Sequence, residues 1–105
     1  MSGIARLAAW PYLAVYSRME IEFDDAKDAA NRLKHGVPLA LGAVVLESLI
    51  GETLDDRRDY GETRVNAFGP IAGRLYVCTY TKRGPVYRII SLRKASRREQ
   101  ELWQP

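Results

Sequence analysis

The sequence predicts an α+β domain in which a small antiparallel sheet follows N-terminal helices and precedes a short C-terminal helix. Three observations carry that expectation. Ala26, Ala29, Ala30 and Leu33 recur at the helical spacing i, i+3, i+4, i+7. Arg74 to Thr81 alternates, with Leu75, Val77 and Thr79 on one face and Tyr76, Cys78 and Tyr80 on the other. The strand patterns come in a run rather than interleaved with helices, which argues against βαβ units. At 105 residues the chain is the size of one domain.

Residues 1–18 lack a sustained period and read as an extension, peripheral or poorly ordered, on a domain spanning 19–105. Glu20-Ile21-Glu22-Phe23 alternates as a short strand. Asp24 is a good N-cap for the helix that follows, and Asp25 suits its positive end. Gly36 is the natural residue past its last turn, with Lys34 and His35 near the negative end. Pro38 suits the first turn of a second, mostly apolar helix from Leu39 to about Glu47. Glu52 to Asp55 reads as a strand, and Asp56 to Gly61 as a charged loop. Thr63 to Phe68 is a strand closed by Gly69-Pro70. Lys82-Arg83-Gly84-Pro85 is a turn that joins Arg74–Thr81 and Val86–Leu92 into a hairpin. Ser96-Arg97-Arg98-Glu99 is a capping box, worth about 1 kcal/mol at the N-cap. It opens a final helix holding Leu102 and Trp103.

Charge divides along the chain. Through Thr63 seven Lys/Arg stand against eleven Asp/Glu, a net of −4; from Arg64 onward nine stand against two, a net of +7. The basic half also carries Tyr76, Tyr80 and Tyr87. Arginines and tyrosines on a sheet suit a phosphate backbone and stacked bases. One histidine and one cysteine exclude a His/Cys zinc site and an internal disulfide. The lone Cys78 fits a reducing compartment, so the expected location is cytoplasmic. The longest apolar run is too short to span a bilayer, and no membrane partner is expected. No phosphate-binding loop, dinucleotide fingerprint or serine elbow occurs, and no cofactor or metal is expected.

Several residues are candidates for chemistry. Arg88 stands in a strand that is otherwise apolar on both faces, so it needs an anion: a carboxylate such as Asp55 or Glu62, or a phosphate. Arg93 and Lys94 flank the start of the last helix, where cations oppose the helix dipole; a solvated junction or an anion site accounts for them. Arg64 opens a strand, and Arg83 sits at the hairpin turn. Together Arg64, Arg83, Arg88, Arg93 and Lys94 are expected to line one side of the sheet. His35 is the one side chain with an ordinary pKa near neutrality. It is either a base for a ribose 2′-OH or a cap on the helix end. Tyr80 and Tyr87 either stack a base or pack in the core.

A series of short motifs recurs in order: Phe23-Asp24-x-x-Lys27, Asn31-x-x-Lys34-His35-Gly36-Val37, Gly61-Glu62-x-Arg64, Gly73-Arg74, Thr81-x-Arg83-Gly84, and Arg88-Ile89-Ile90-Ser91-x-Arg93-Lys94-Ala95, with Glu99 beyond. The series resembles the BrnT toxins of bacterial type II toxin–antitoxin systems, from about Glu20 to Trp103. The resemblance implies a RelE-like fold and a ribonuclease that blocks translation. It also implies a BrnA-like antitoxin with a DNA-binding part, in a heterotetramer with the toxin or beside a toxin homodimer. Carried over position by position, it implies a functional set of Lys34, His35, Arg64, Arg83, Arg88, Arg93 and Lys94. One departure stands out: after His35-Gly36-Val37 the family has an aromatic and then acidic residues, where this chain has Pro38-Leu39-Ala40-Leu41-Gly42.

The expected reaction is metal-independent cleavage of RNA by attack of the ribose 2′-OH on the adjacent phosphate. His35, Arg64, Arg88 and Arg93 are the expected catalytic residues, with Lys34, Arg83, Lys94 and Tyr80 holding the RNA. The alternatives are a non-catalytic nucleic-acid-binding module and a degenerate toxin acting as an operon or antitoxin partner.

Overall fold

The computed structural model describes residues 4–6 and 19–104. Six strands form one sheet: β1 (Ile4–Arg6), β2 (Glu20–Asp24), β3 (Gly51–Leu54), β4 (Val65–Ile71), β5 (Arg74–Arg83) and β6 (Val86–Lys94). Their order across the sheet is β1-β2-β6-β5-β4-β3. Helix α1 (Asp25–His35), a 3-10 turn (Leu39–Leu41) and α2 (Gly42–Glu47) lie between β2 and β3, and α3 (Arg97–Trp103) follows β6. The chain is therefore α+β, as its pattern predicts, but the sheet is mixed rather than antiparallel throughout. Strand β2 pairs parallel with the start of β6, Glu20 to Glu22 lying opposite Val86 to Arg88. The alternation of β2 explains why it sits there. Ile21 and Phe23 enter the core, and Glu22 meets Arg88 across the register with Arg88 Nη1 donating to its carboxylate at 3.5 Å. The expectation of an N-terminal extension falls mainly outside the described residues; Ile4–Arg6 pairs antiparallel with β2.

Most of the core lies on one face of the sheet. There Ile21, Phe23, Tyr76, Cys78, Tyr80, Ile89 and Leu92 pack against Leu39, Ala43, Val45 and Leu46 from the 3-10 turn and α2. The close approach of α2 depends on Gly69: a Cβ there would lie 2.6 Å from the Val45 carbonyl oxygen. Strand β4 consequently runs through Gly69-Pro70 instead of ending before them. Pro70 is tolerated because β3 pairs only as far as Gly51 opposite Phe68, so the Pro70 side of β4 has no ladder partner to lose. A smaller cluster on the opposite face holds Phe68, Leu75, Val77 and Ala95, and α3 lays Trp103 on it, stacked on Phe68 at 4.8 Å. Helix α3 opens with the capping box read from the sequence, Ser96 Oγ accepting from the Glu99 N–H and Glu99 reaching back to the Ser96 N–H.

Helix α1 does not bury its apolar stripe. Ala26, Ala29 and Ala30 are exposed and Leu33 is 91% exposed. The helix is instead turned by Asn31, its one buried residue. Asn31 Nδ2 donates to the carbonyls of Leu92 at 2.8 Å and Val37 at 3.0 Å, and Oδ1 accepts from the Leu92 N–H at 3.1 Å. Strand β2 stops pairing with β6 at Arg88, so the outward N–H and C=O of Leu92 would face an open edge. The Asn31 amide supplies the missing rung. The helix ends as the sequence predicts, with Gly36 at φ 73° and its N–H donating to the Arg32 carbonyl.

Strand β6 contains one extra residue. Its register against β5 shifts between Thr79 and Tyr80, so Thr79 faces Ser91 while Tyr80 faces Ile89, and Ile90 is bulged. Strict alternation would put Arg88 and Arg93 on opposite faces. With the bulge, Arg88 lies opposite Thr81, Ser91 opposite Thr79 and Arg93 opposite Val77, all on the face away from α2.

The Asn31 bridge gives a direct prediction. Asn31→Ala strands the two buried backbone groups of Leu92 and is expected to cost about 2–3 kcal/mol, read as a lower midpoint in urea denaturation. A loss below about 0.5 kcal/mol would show that solvent serves Leu92 equally well.

Candidate active site

The face carrying Arg88, Ser91 and Arg93 is only partly covered by α3. The remainder forms a polar cleft of about 410 Å³ lined by Lys34, His35, Arg57, Asn66, Thr79, Ser91, Arg93 and Glu99. Its floor is a row of uncharged side chains across three strands: Asn66 on β4, Thr79 on β5 and Ser91 on β6. Thr79 Oγ1 donates to Asn66 Oδ1 at 2.8 Å. One wall is the last turn of α1, which the Asn31 bridge holds against the β6 edge and which carries Lys34 and His35. Arg93, two residues beyond Ser91, and Glu99 of α3 close the end. A smaller groove of about 190 Å³ shares Lys34, His35 and Ser91 and continues along α1 past Lys27 and Asn31.

Arg93 is a fixed cation. Its Nη1 and Nη2 donate to the two Glu99 oxygens at 2.7 and 3.0 Å. Glu99 Oε1 also accepts the Ser96 N–H at 2.7 Å. The Arg93 guanidinium, aided by Ser96, outweighs burial and holds Glu99 down to about 2. The pKa of His35 is lowered too, which for a histidine disfavours the charged form: burial first, then the positive charges of Lys34 and Arg93, bring it below the ordinary 6.5. The shift favours the neutral imidazole, the form able to accept a proton. Lys34 forms no ion pair among the described residues, so its ammonium is free for an anion.

The other candidates from the sequence lie elsewhere. Arg88 shares the face of the cleft but lies outside its lining, and its carboxylate partner is Glu22, not Asp55 or Glu62. Arg64 pairs with Glu62 at 3.2 Å and lies 4.0 Å over the Tyr60 ring. Arg83, at the end of β5, lies 4.0 Å from the same Glu62. Lys94 pairs with Tyr76 and so projects to the opposite face. Tyr80 is buried on that opposite face as well, donating to Glu52 at 2.9 Å and packed 5.1 Å from Tyr87. The five basic residues do not converge: of that set only Arg93 enters the cleft. Arg57, Asn66, Thr79, Ser91 and Glu99 line it without having been singled out as ligands. Glu99, through its capping box, and Ser91, inside the Arg88–Ala95 motif, carry a signal in the sequence.

The sequence model of the family described as ribonuclease toxin, BrnT, of type II toxin–antitoxin systems matches residues 23–99. The chain belongs to the BrnT family. No curated protein matches it. Membership supports a type II toxin with ribonuclease activity, and with it an RNA substrate and an antitoxin partner. The matched span of this BrnT chain contains every residue that lines the cleft. Among the described residues no helix is long and apolar enough to cross a membrane.

Two titrations follow from these charges. Glu99 adds stability that is complete above its ordinary 4.5 and fades as the pH falls toward 2. Glu99→Gln should therefore lower the denaturation midpoint clearly at pH 7 and far less at pH 3; an equal deficit at both would remove the ion pair as the cause. The single histidine should titrate by NMR below 6.5, and Arg93→Ala should raise its midpoint. A midpoint unmoved by that change would place His35 outside the field of Arg93.

Proposed function

We propose that the cleft is the catalytic centre of a metal-independent endoribonuclease that cuts RNA at the ribose 2′-OH and thereby stops translation. The observation that carries this reading is the meeting around one polar cleft of an imidazole whose charged form is disfavoured, an ammonium with no ion pair among the described residues, and a guanidinium fixed by Glu99. His35 takes the 2′-OH proton as the oxygen attacks the neighbouring phosphorus. Arg93, held by Glu99, and Lys34 stabilise the charge that builds on the phosphoryl oxygens. The P–O5′ bond breaks, the 5′-oxygen leaves as a hydroxyl with a proton from Lys34 or water, and a 2′,3′-cyclic phosphate remains. Arg88, Arg64 and Arg83 lie beyond the cleft and serve the RNA strand at a distance from the breaking bond.

The departure at Pro38–Gly42 lies away from the cleft lining. Leu39 and Ala40 are buried in the core, and no residue of that stretch lines the cleft. The run of antiparallel strands β4-β5-β6, with the N-terminal helices ahead of it, is compatible with a RelE-like relationship. A BrnA-like antitoxin that covers the cleft, in a heterotetramer in the cytoplasm, completes the proposal. The pairing of Arg64, Arg88 and Arg93 with Glu62, Glu22 and Glu99 favours a second reading, a non-catalytic RNA-binding protein, because each cation is already half neutralised.

Cleavage of a labelled RNA by the purified chain, with and without EDTA, separates the two. The nuclease yields cyclic-phosphate ends in both conditions, and His35→Ala or Arg93→Ala slows it by about 10²–10³. Undiminished cutting by folded His35→Ala would end the assignment of His35 as the base, and intact RNA would leave the binding protein as the better account.

A further inference from the structure

The loop between β3 and β4 looks like solvated charge in the sequence, yet one of its carboxylates is buried. The Asp55 side chain is 1% exposed, while that of its partner Arg57 is 79% exposed. Arg57 Nε donates to Asp55 Oδ1 at 2.8 Å and Nη2 to Oδ2 at 3.0 Å. The Tyr60 hydroxyl donates to the same Oδ2 at 3.3 Å, and the Asp55 N–H to the Arg64 carbonyl at 2.9 Å. A carboxylate taken out of water is costly unless it is well paired, whereas a guanidinium in solvent gains little from pairing. The arrangement makes sense as a mount: Asp55 sits inside the protein and aims a cation outward. Two of the five guanidinium N–H groups bond Asp55, and the Tyr60 hydroxyl is a further neighbour, while most of the side chain stays in solvent. Arg57 lines the cleft, and its mount Asp55 is tied to the residue that precedes β4 through the Arg64 carbonyl.

We propose that Arg57 binds a second phosphate of the RNA, next to the one that is cut, and that Asp55 is its positioning residue. This rests on the ribonuclease reading of the cleft. Lys34, His35 and Arg93 come from α1 and β6, whereas Arg57 comes from the loop that leads into β4. Two strand spacings of about 4.8 Å separate β4 from β6. A sugar and base fit between the two cationic sides, over the Asn66–Thr79–Ser91 floor, whose hydroxyl and amide groups are suited to hydrogen bonds with that nucleotide. The substrate class is single-stranded RNA reaching at least one nucleotide beyond the scissile linkage.

The test uses a 2′-O-methyl RNA 12-mer of mixed sequence, which has no free 2′-OH to react, and measures its Kd over a range of salt. Arg57→Gln should weaken binding about tenfold and reduce the log–log salt slope by about 0.7, the share of one single-strand phosphate contact. Asp55→Asn should weaken binding while leaving the slope close to that of the parent, because the charge stays but loses its mount. On cleavable RNA, Arg57→Gln should raise KM more than it lowers kcat. If Arg57→Gln is unstable, the double change Asp55→Asn with Arg57→Gln removes both charges and should show the same lost slope. An unchanged slope in a folded Arg57→Gln or double variant overturns the proposal. If the parent binds the 12-mer but cuts no RNA, the nuclease reading fails by itself, and the slope still decides whether Arg57 holds a phosphate.

Discussion

A single amide holds the candidate active site together. Asn31 occupies the place on β6 where a neighbouring strand would be, and in doing so fixes how α1 is rotated against the sheet. The rotation leaves Leu33 in solvent, an outcome that hydrophobic burial alone would reject. Two backbone groups of a central strand need partners, and a side chain carrying both a donor and an acceptor meets both at once. Lys34 and His35, one turn further along the helix, reach the β6 edge because Asn31 is where it is. The α1 stripe of small apolar residues is secondary to that constraint.

Much of the element order was legible in the sequence. The N-cap at Asp24, the Gly36 stop, the β5–β6 hairpin and the Ser96–Glu99 capping box are all local signals, and all are present. Tertiary pairing was less legible. The parallel docking of β2 on β6 depends on a contact between residues 66 positions apart, and no local pattern carries it. The rotation of α1 is not legible either: the period of the alanines is plain in the sequence, whereas the role of Asn31 is not. Of the residues that line the cleft, Lys34, His35 and Arg93 are candidates in the sequence and Ser91 falls inside the Arg88–Ala95 motif, whereas Asn66 and Thr79 carry no sequence signature. Such residues look like ordinary polar alternation until the register places them in a row.

The division of charge along the chain does not survive folding. Acidic residues from the first part of the sequence return to the arginines of the second: Glu22 to Arg88 and Glu62 to Arg64 and Arg83. A basic half read as an open cationic surface is thus partly self-neutralised. Among the described residues Lys34 has no carboxylate partner and lines the cleft, whereas Lys94 projects to the opposite face. Selectivity for an anion then depends on geometry, since a polyanion gains little from cations whose carboxylates it cannot displace.

The bulge at Ile90 makes the arithmetic of β6 unusually consequential. Side-chain direction in a strand follows parity, so each residue counted from Val86 decides which layer of the molecule its successors serve. One added residue brings an even-numbered and an odd-numbered arginine to the same side while Ile89 and Leu92 still point inward. A chain shortened there by a single residue would have to choose between a greasy interior and a charged exterior. Insertions and deletions in this strand are therefore far less forgiving than most substitutions within it.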